Sequence, residues 1–186
     1  MSSDHPRVLF VCTANECRSP FAEAIARRDA VGLPIEFASA GVDAWRRPVP
    51  PVGLQHARER GLSLQDHVSR AVHPDELSEY DLILALSRNH GRELLALDPD
   101  IRPRLFTLKQ FVRWVQQNPR PRRAALGSWL DAAAADRPVT DLLGSDRADD
   151  VADPVDKPIE DWRRMSAELE SAIRMSLDGL FPRRNA

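Results

Sequence analysis

Within the stretch VLFVCTANECRSPFAEA (8–24) stand two thiols, a guanidinium and a hydroxyl at close intervals: Cys12, Cys17, Arg18 and Ser19. Cys12 and Arg18 are separated by five residues. A loop of that length can curl so that successive backbone N–H groups point inward, forming an anion-binding nest at the N-terminus of the next helix. Arg18 can close the ring with a planar, two-point grip on the oxygens of a tetrahedral dianion. A thiol at the base of such a nest sees the helix dipole, the amides and the guanidinium, and all three favour the thiolate. Ser19 is placed to donate a hydrogen bond to that sulfur. Thr13, Ala14, Asn15, Glu16, Cys17, Arg18 and Ser19 are therefore the expected phosphate-binding residues, with Cys12 beneath them as nucleophile. Cysteine or arginine alone would read as a buried strand-end thiol or a surface cation. Their joint placement between an apolar run and Ser-Pro carries the chemistry.

Cleaving a phosphate ester also needs a proton on the departing oxygen, and nothing in the loop supplies one. An aspartic acid beside the cleft would do so and then activate water. The acidic stretch near residue 150 holds Asp149, Asp150, Asp153 and Asp156. Asp153 precedes Pro154, which stiffens the backbone at that point. On the residue types alone most of the four read as solvated, and the choice among them stays open.

These groups need a scaffold. Residues 7–12, 35–40, 80–86 and 104–108 are short apolar runs that read as buried parallel strands. Helical patterns cover 20–31, 51–60, 88–97, 109–117 and 159–180. The first is given Ser19 as N-cap, Pro20 at its first position and Gly32 beyond its end. Alternating strands and helices predict a layered α/β fold with right-handed crossovers. Ligands in such sheets sit beyond the carboxyl ends of the strands, where Cys12 falls. Residues 118–150 break the rhythm, passing from basic PRPRR through an Ala-rich patch to acidic LLGSDRADD. This stretch reads as an insert with one short helix, mobile or laid over the surface.

The whole chain of 186 residues, with 42% hydrophobic and 29% charged residues, fits one globular domain. A net charge of −2 gives no global pull toward nucleic acid or anionic membrane. No apolar run reaches the length of a membrane span and the N-terminus lacks a signal-like core, so the expected location is the cytoplasm. Two cysteines are too few for a stapling framework. The histidines at 5, 56, 67, 73 and 90 read as surface or helix residues, and Trp114, Trp129 and Trp162 as packing anchors. No metal or other cofactor is called for, since the nest and Arg18 supply the positive field.

The residues VCTANECRSP (11–20), SAGVDAW (39–45), YDLILAL (80–86) and DVADP (150–154) resemble the low-molecular-weight protein tyrosine phosphatases. The resemblance implies a four-stranded parallel sheet flanked by helices, of the phosphotyrosine phosphatase I type with flavodoxin-like layering. It also implies a phosphorylated protein substrate, phosphotyrosine first, and a phosphocysteine intermediate. Cys12 is then the nucleophile, Arg18 the transition-state clamp and Asp153 the proton donor. A reversible Cys12–Cys17 disulfide that guards the nucleophile is implied as well, whereas on the residues alone Cys17 reads equally as a small buried thiol filling space.

The chain departs from that pattern in places. Ala14 stands where relatives carry glycine, which would cost about 1 kcal/mol if the position needs positive φ. Glu16 is expected near the pocket mouth, where a carboxylate repels dianions but can pair with a cationic group beside phosphorus. Val155 and Asp156 replace aromatics, leaving Trp45 as one candidate cleft wall or else a half-buried packing residue. These departures keep phosphoarginine open as an alternative substrate. Arsenate reduction would need an external thiol, because no cysteine follows Cys17. A non-catalytic phosphate-binding or redox-responsive module would require neither the nucleophile nor the acid.

Overall fold

The computed structural model describes residues 5–122, 124–142 and 147–182. Four parallel strands, β1 (Arg7–Cys12), β2 (Glu36–Gly41), β3 (Leu82–Ala85) and β4 (Leu105–Thr107), form one sheet in the order β2-β1-β3-β4. Between and after them run α1 (Arg18–Asp29), α2 (Pro51–Glu59), α3 (Pro74–Leu77), α4 (Arg88–Leu97), α5 (Leu108–Gln117), α6 (Leu126–Asp136) and α7 (Ile159–Leu180). All four expected strands form, each within a residue or two of its expected bounds.

The pleat sorts β1 between two apolar layers. Val8, Phe10 and Cys12 face a core built with Phe21 and Ile25 of α1, Phe111 and Val115 of α5, and Trp162, Leu169 and Ile173 of α7. Leu9 and Val11 face a second layer with Leu77 of α3 and Leu94 of α4. Both faces are covered, which is why β1 from Val8 onward and β3 throughout are apolar. Cys12 is the last residue of a strand held on both sides, so its position is set by the sheet. No helix among the described residues is long and apolar enough to cross a membrane.

The expected insert is more firmly attached than its composition suggests. Leu126, Trp129 and Leu130 of α6 are buried in the first core, and Trp129 packs on Trp114 with ring centroids 4.4 Å apart. Leu142 joins the second core and lies against Gly91. Apolar residues every three or four positions give α6 a face to bury, a signal masked in the sequence by the alanine run. Residues 123 and 143–146 of the stretch lie outside the described residues.

Candidate active site

The loop after β1 is pinned from β2. Val42 N–H donates to the Cys12 carbonyl (3.0 Å) and Asp43 N–H to that of Thr13 (2.9 Å). Gly41 lets these backbones meet, since a Cβ there would lie 2.4 Å from the Thr13 carbonyl oxygen and 2.9 Å from the Asn15 amide nitrogen. The loop turns at Asn15, which adopts φ 55° and is fully buried. Asparagine tolerates this left-handed conformation better than most residues. Ala14 is not among the positive-φ residues, so the strain considered for it does not arise.

Asn15 is more than a turn residue. Its Nδ2 donates to Ser19 Oγ and to Ser39 Oγ, both at 2.9 Å, and its Oδ1 accepts from the Arg70 amide at 3.0 Å. The Asn15 carbonyl accepts from His67 Nε2 at 2.8 Å. Every polar atom that burial would penalise thus has a partner.

Around the sulfur, Ser19 Oγ lies 3.0 Å from Cys12 Sγ, and the Asn15 amide N–H donates to Sγ at 3.3 Å. Ser19 is not the N-cap. Helix α1 begins at Arg18, with Cys17 at the cap position and no side-chain cap bond. The hydroxyl is turned to the sulfur instead, leaving the amides at the start of α1 for an anion. Ser19 Oγ also lies 3.2 Å from the Ala40 carbonyl. Because Asn15 donates to this oxygen, its single hydrogen goes to the thiolate, or to Ala40 when Cys12 is a thiol that donates itself.

Both cysteines are free and buried. Burial first, then the nearby Asp153 and Cys12, push the Cys17 thiol well up, so it stays protonated.

Arg18 bridges the loop and the segment that carries Asp153. Its Nη2 donates to Asp153 Oδ2 at 2.5 Å and to Thr13 Oγ1 at 3.3 Å, and its Nη1 to the Val151 carbonyl at 3.4 Å. Arg18 is buried, whereas the Asp153 side chain is 37% exposed. The structure therefore brings Asp153, distant in sequence, onto the guanidinium that follows Cys12. Its Oδ1 also accepts from the Val155 amide at 3.2 Å.

Other aspartates of the acidic stretch are not solvated as expected. Asp149 is buried and paired with Arg88 and Arg113. Asp150 Oδ1 accepts from the Arg88 amide at 2.9 Å, and Lys109 Nζ donates to its carbonyl at 2.7 Å. Val151 N–H donates to Leu86, just past β3. Together these bonds fasten the Asp153 loop to the ends of β3 and β4.

The pocket rim differs from expectation too. Trp45 is neither half-buried nor packed: it is 70% exposed, with its indole N–H donating to Asp43. Glu16 is half-buried and makes no hydrogen bond or ion pair among the described residues. Two histidines read as surface or helix residues touch the loop: His67 through Asn15, and buried His90, whose Nε2 lies 2.9 Å from Thr13 Oγ1. His56, also buried, bonds to Ser166. Ser39, Gly41, His67, Arg70, His90 and Asp149 were missed because single residues far along the chain carry no local pattern. The SAG tripeptide at 39–41 was the one available cue.

A four-stranded parallel sheet whose first strand ends in a buried cysteine, with a buried arginine opening the next helix, has the form of a phosphatase scaffold. The chain belongs to the low molecular weight phosphotyrosine protein phosphatase family, which residues 7–120 match. That match ends before Asp153. Among similar proteins is the low molecular weight protein-tyrosine-phosphatase Etp of Escherichia coli K12, 32% identical over 115 residues, 61% of this chain and 74% of that one. A protein-arginine-phosphatase of Geobacillus stearothermophilus is 29% identical over 177 residues, 90% of each chain. The solved low molecular weight protein tyrosine phosphatase of T. tengcongensis superposes with a TM-score of 0.72 at 29% identity, covering 94% of this chain and 99% of that one.

Proposed function

We propose that the chain hydrolyses protein phosphotyrosine through a phosphocysteine intermediate. The observation that carries this reading is the convergence of Cys12 Sγ, the Ser19 hydroxyl, the Arg18 guanidinium and the Asp153 carboxyl on one loop. The Cys12 thiolate attacks phosphorus in line with the scissile bond. The P–O bond breaks, its electron pair goes to the phenolic oxygen, and Asp153 gives that oxygen its proton. Arg18 and the loop amides hold the equatorial oxygens throughout. Water then attacks phosphorus as Asp153 takes its proton. The P–S bond breaks, the thiolate returns, and inorganic phosphate leaves. Positioned acid catalysis of this kind contributes about 10²- to 10⁴-fold.

The proposed setting is the cytoplasm, where a catalytic thiol is kept reduced. Cys17 is proposed to resolve an oxidised Cys12 as a reversible disulfide.

Phosphoarginine is the second reading, favoured by Glu16. This carboxylate has no partner among the described residues and can attract a guanidinium beside the phosphorus. An arginine phosphatase is also similar over 90% of both chains.

The test is turnover of an aryl phosphate in reducing, metal-free buffer, with orthovanadate and Cys12→Ser as controls. Turnover that both controls abolish supports the cycle, and no turnover removes it. Phosphotyrosyl and phosphoarginyl peptides assayed in parallel then decide the substrate. Glu16→Ile raises the tyrosyl-to-arginyl ratio if Glu16 selects charge, and an unchanged ratio refutes that role.

A further inference from the structure

Thr13 and His90 lie 77 positions apart, and the proposed cycle uses the side chain of neither. Thr13 Oγ1 receives Arg18 Nη2 at 3.3 Å and contacts His90 Nε2 at 2.9 Å. The imidazole is buried, and its other nitrogen, Nδ1, has no partner among the described residues. An unpartnered buried N–H is costlier than an unpartnered lone pair. The ring hydrogen therefore belongs on Nε2, where it is used, and the bare lone pair on Nδ1. Burial, with the Arg18 charge nearby, keeps the ring neutral and limits it to that one hydrogen.

Thr13 Oγ1 then accepts two hydrogens, one from Arg18 and one from His90. A hydroxyl has two lone pairs and one hydrogen. Both lone pairs are spoken for, so the Thr13 O–H is left as a donor, and no acceptor meets it among the described residues. Thr13 itself is exposed at the rim of the loop.

We propose that His90 positions the Thr13 hydroxyl so that it steadies the Arg18 guanidinium and offers its own hydrogen to a phosphoryl oxygen in the loop. Thr13 is thus a substrate-contacting residue and His90 a positioning residue that acts through it. The proposal rests on the reading of the loop as a phosphate site.

Inorganic phosphate, titrated by calorimetry into the full chain, tests the pair independently of turnover. Kinetics with an aryl phosphate run beside it. Thr13→Val keeps the shape and removes the hydroxyl, and it weakens phosphate binding and lowers kcat/KM on the order of tenfold each. Thr13→Ser restores most of both. His90→Leu matches Thr13→Val, His90→Gln rescues by supplying an N–H near the same place, and the Thr13→Val/His90→Leu double variant is no worse than either single one. Wild-type phosphate affinity in Thr13→Val, no rescue by serine, or additive losses in the double variant overturns the proposal. If His90→Leu does not fold, the exposed Thr13 variants decide it. Absent turnover with phosphate still bound and weakened by Thr13→Val would remove the catalytic cycle while upholding the pair. A wild-type chain that binds no phosphate overturns both.

Discussion

Arg18 Nη2 sits 2.5 Å from Asp153 Oδ2, so the cation that would grip phosphate is held by the residue that would protonate the leaving group. The two proposed roles exclude this contact during the reaction. A phosphoryl group entering the loop must take Arg18 for itself, which frees the carboxyl to turn to the leaving oxygen. Substrate binding thereby readies the acid.

Asp153→Asn separates these effects. Removing a competing carboxylate tightens inorganic phosphate binding severalfold, read by calorimetry. Losing the proton donor lowers kcat by about 10²-fold or more for alkyl phosphates and much less for aryl phosphates with acidic leaving groups. Uniform slowing across leaving groups would place the proton donor elsewhere.

Asp149 is expected to act on the same loop from a distance. Its carboxylate is buried between Arg88 and Arg113, and Asp149→Ala removes the charge that draws both guanidiniums together. The loss is about 3 kcal/mol in urea unfolding. The surviving folded enzyme shows the leaving-group signature of Asp153→Asn in weaker form, because the proton donor is no longer held in place. Normal kcat with every leaving group would mean that the loop is fastened without Asp149.

The four strands and the Cys12–Ser19 loop were legible because each is local. The run 8–12 is uniformly apolar, and the Cys-to-Arg spacing is contained within one turn of chain. The limits of such reading appear at Ser19 and Asp149. Ser19 followed by Pro20 has the form of an N-cap, yet the sulfur competes for its hydroxyl and wins. Asp149 sits in a polar, acidic stretch, and nothing nearby announces that Arg88 and Arg113, far earlier in the chain, will bury it. His90 shows the same limit: its partner Thr13 meets it only once β1 and β3 pair.

His90 also makes stability depend on pH. Burial first, then the Arg18 charge, push its pKa down to about 3 from an ordinary 6.5. Between these values the unfolded chain binds the proton and the folded chain does not, so stability rises with pH in that window and is fully present above 6.5. Below 6.5 it is lost at up to about 1.4 kcal/mol per pH unit. His56, also lowered by burial, adds in the same direction. Urea midpoints from pH 7.5 to 5.0 should fall for the wild type and fall less steeply for His90→Gln. Parallel curves would contradict the neutral, buried state of this ring.

Gly41 and Gly32 make a matched pair. Gly41→Ala drives a methyl group into the Thr13 carbonyl and the Asn15 amide, costing about 1–3 kcal/mol and most of the activity. Gly32 has φ +84° and open space around it, so Gly32→Ala costs about 1 kcal/mol of strain alone. Thermal midpoints fall in both, but kcat/KM falls only in the first. Equal kcat/KM would show that the loop accommodates the extra carbon.

The two thiols should differ in reactivity. Iodoacetamide at pH 8 is expected to modify Cys12 alone, with inorganic phosphate protecting it, because desolvation and the nearby Asp153 and Cys12 keep the Cys17 thiol protonated. Peptide mapping by mass spectrometry reads the sites. Rapid, phosphate-independent labelling of Cys17 would mean that its surroundings open readily.

The Asp153 loop and the stretch that leads to it are moored to the same two helices, α4 and α5. Leu86, Arg88 and Lys109 grip residues 149–151, while Trp129 and Leu142 are seated on Trp114 and Gly91. The two segments therefore share one frame, and a shift of α4 or α5 would carry the Asp153 carboxyl and the packed face of α6 together.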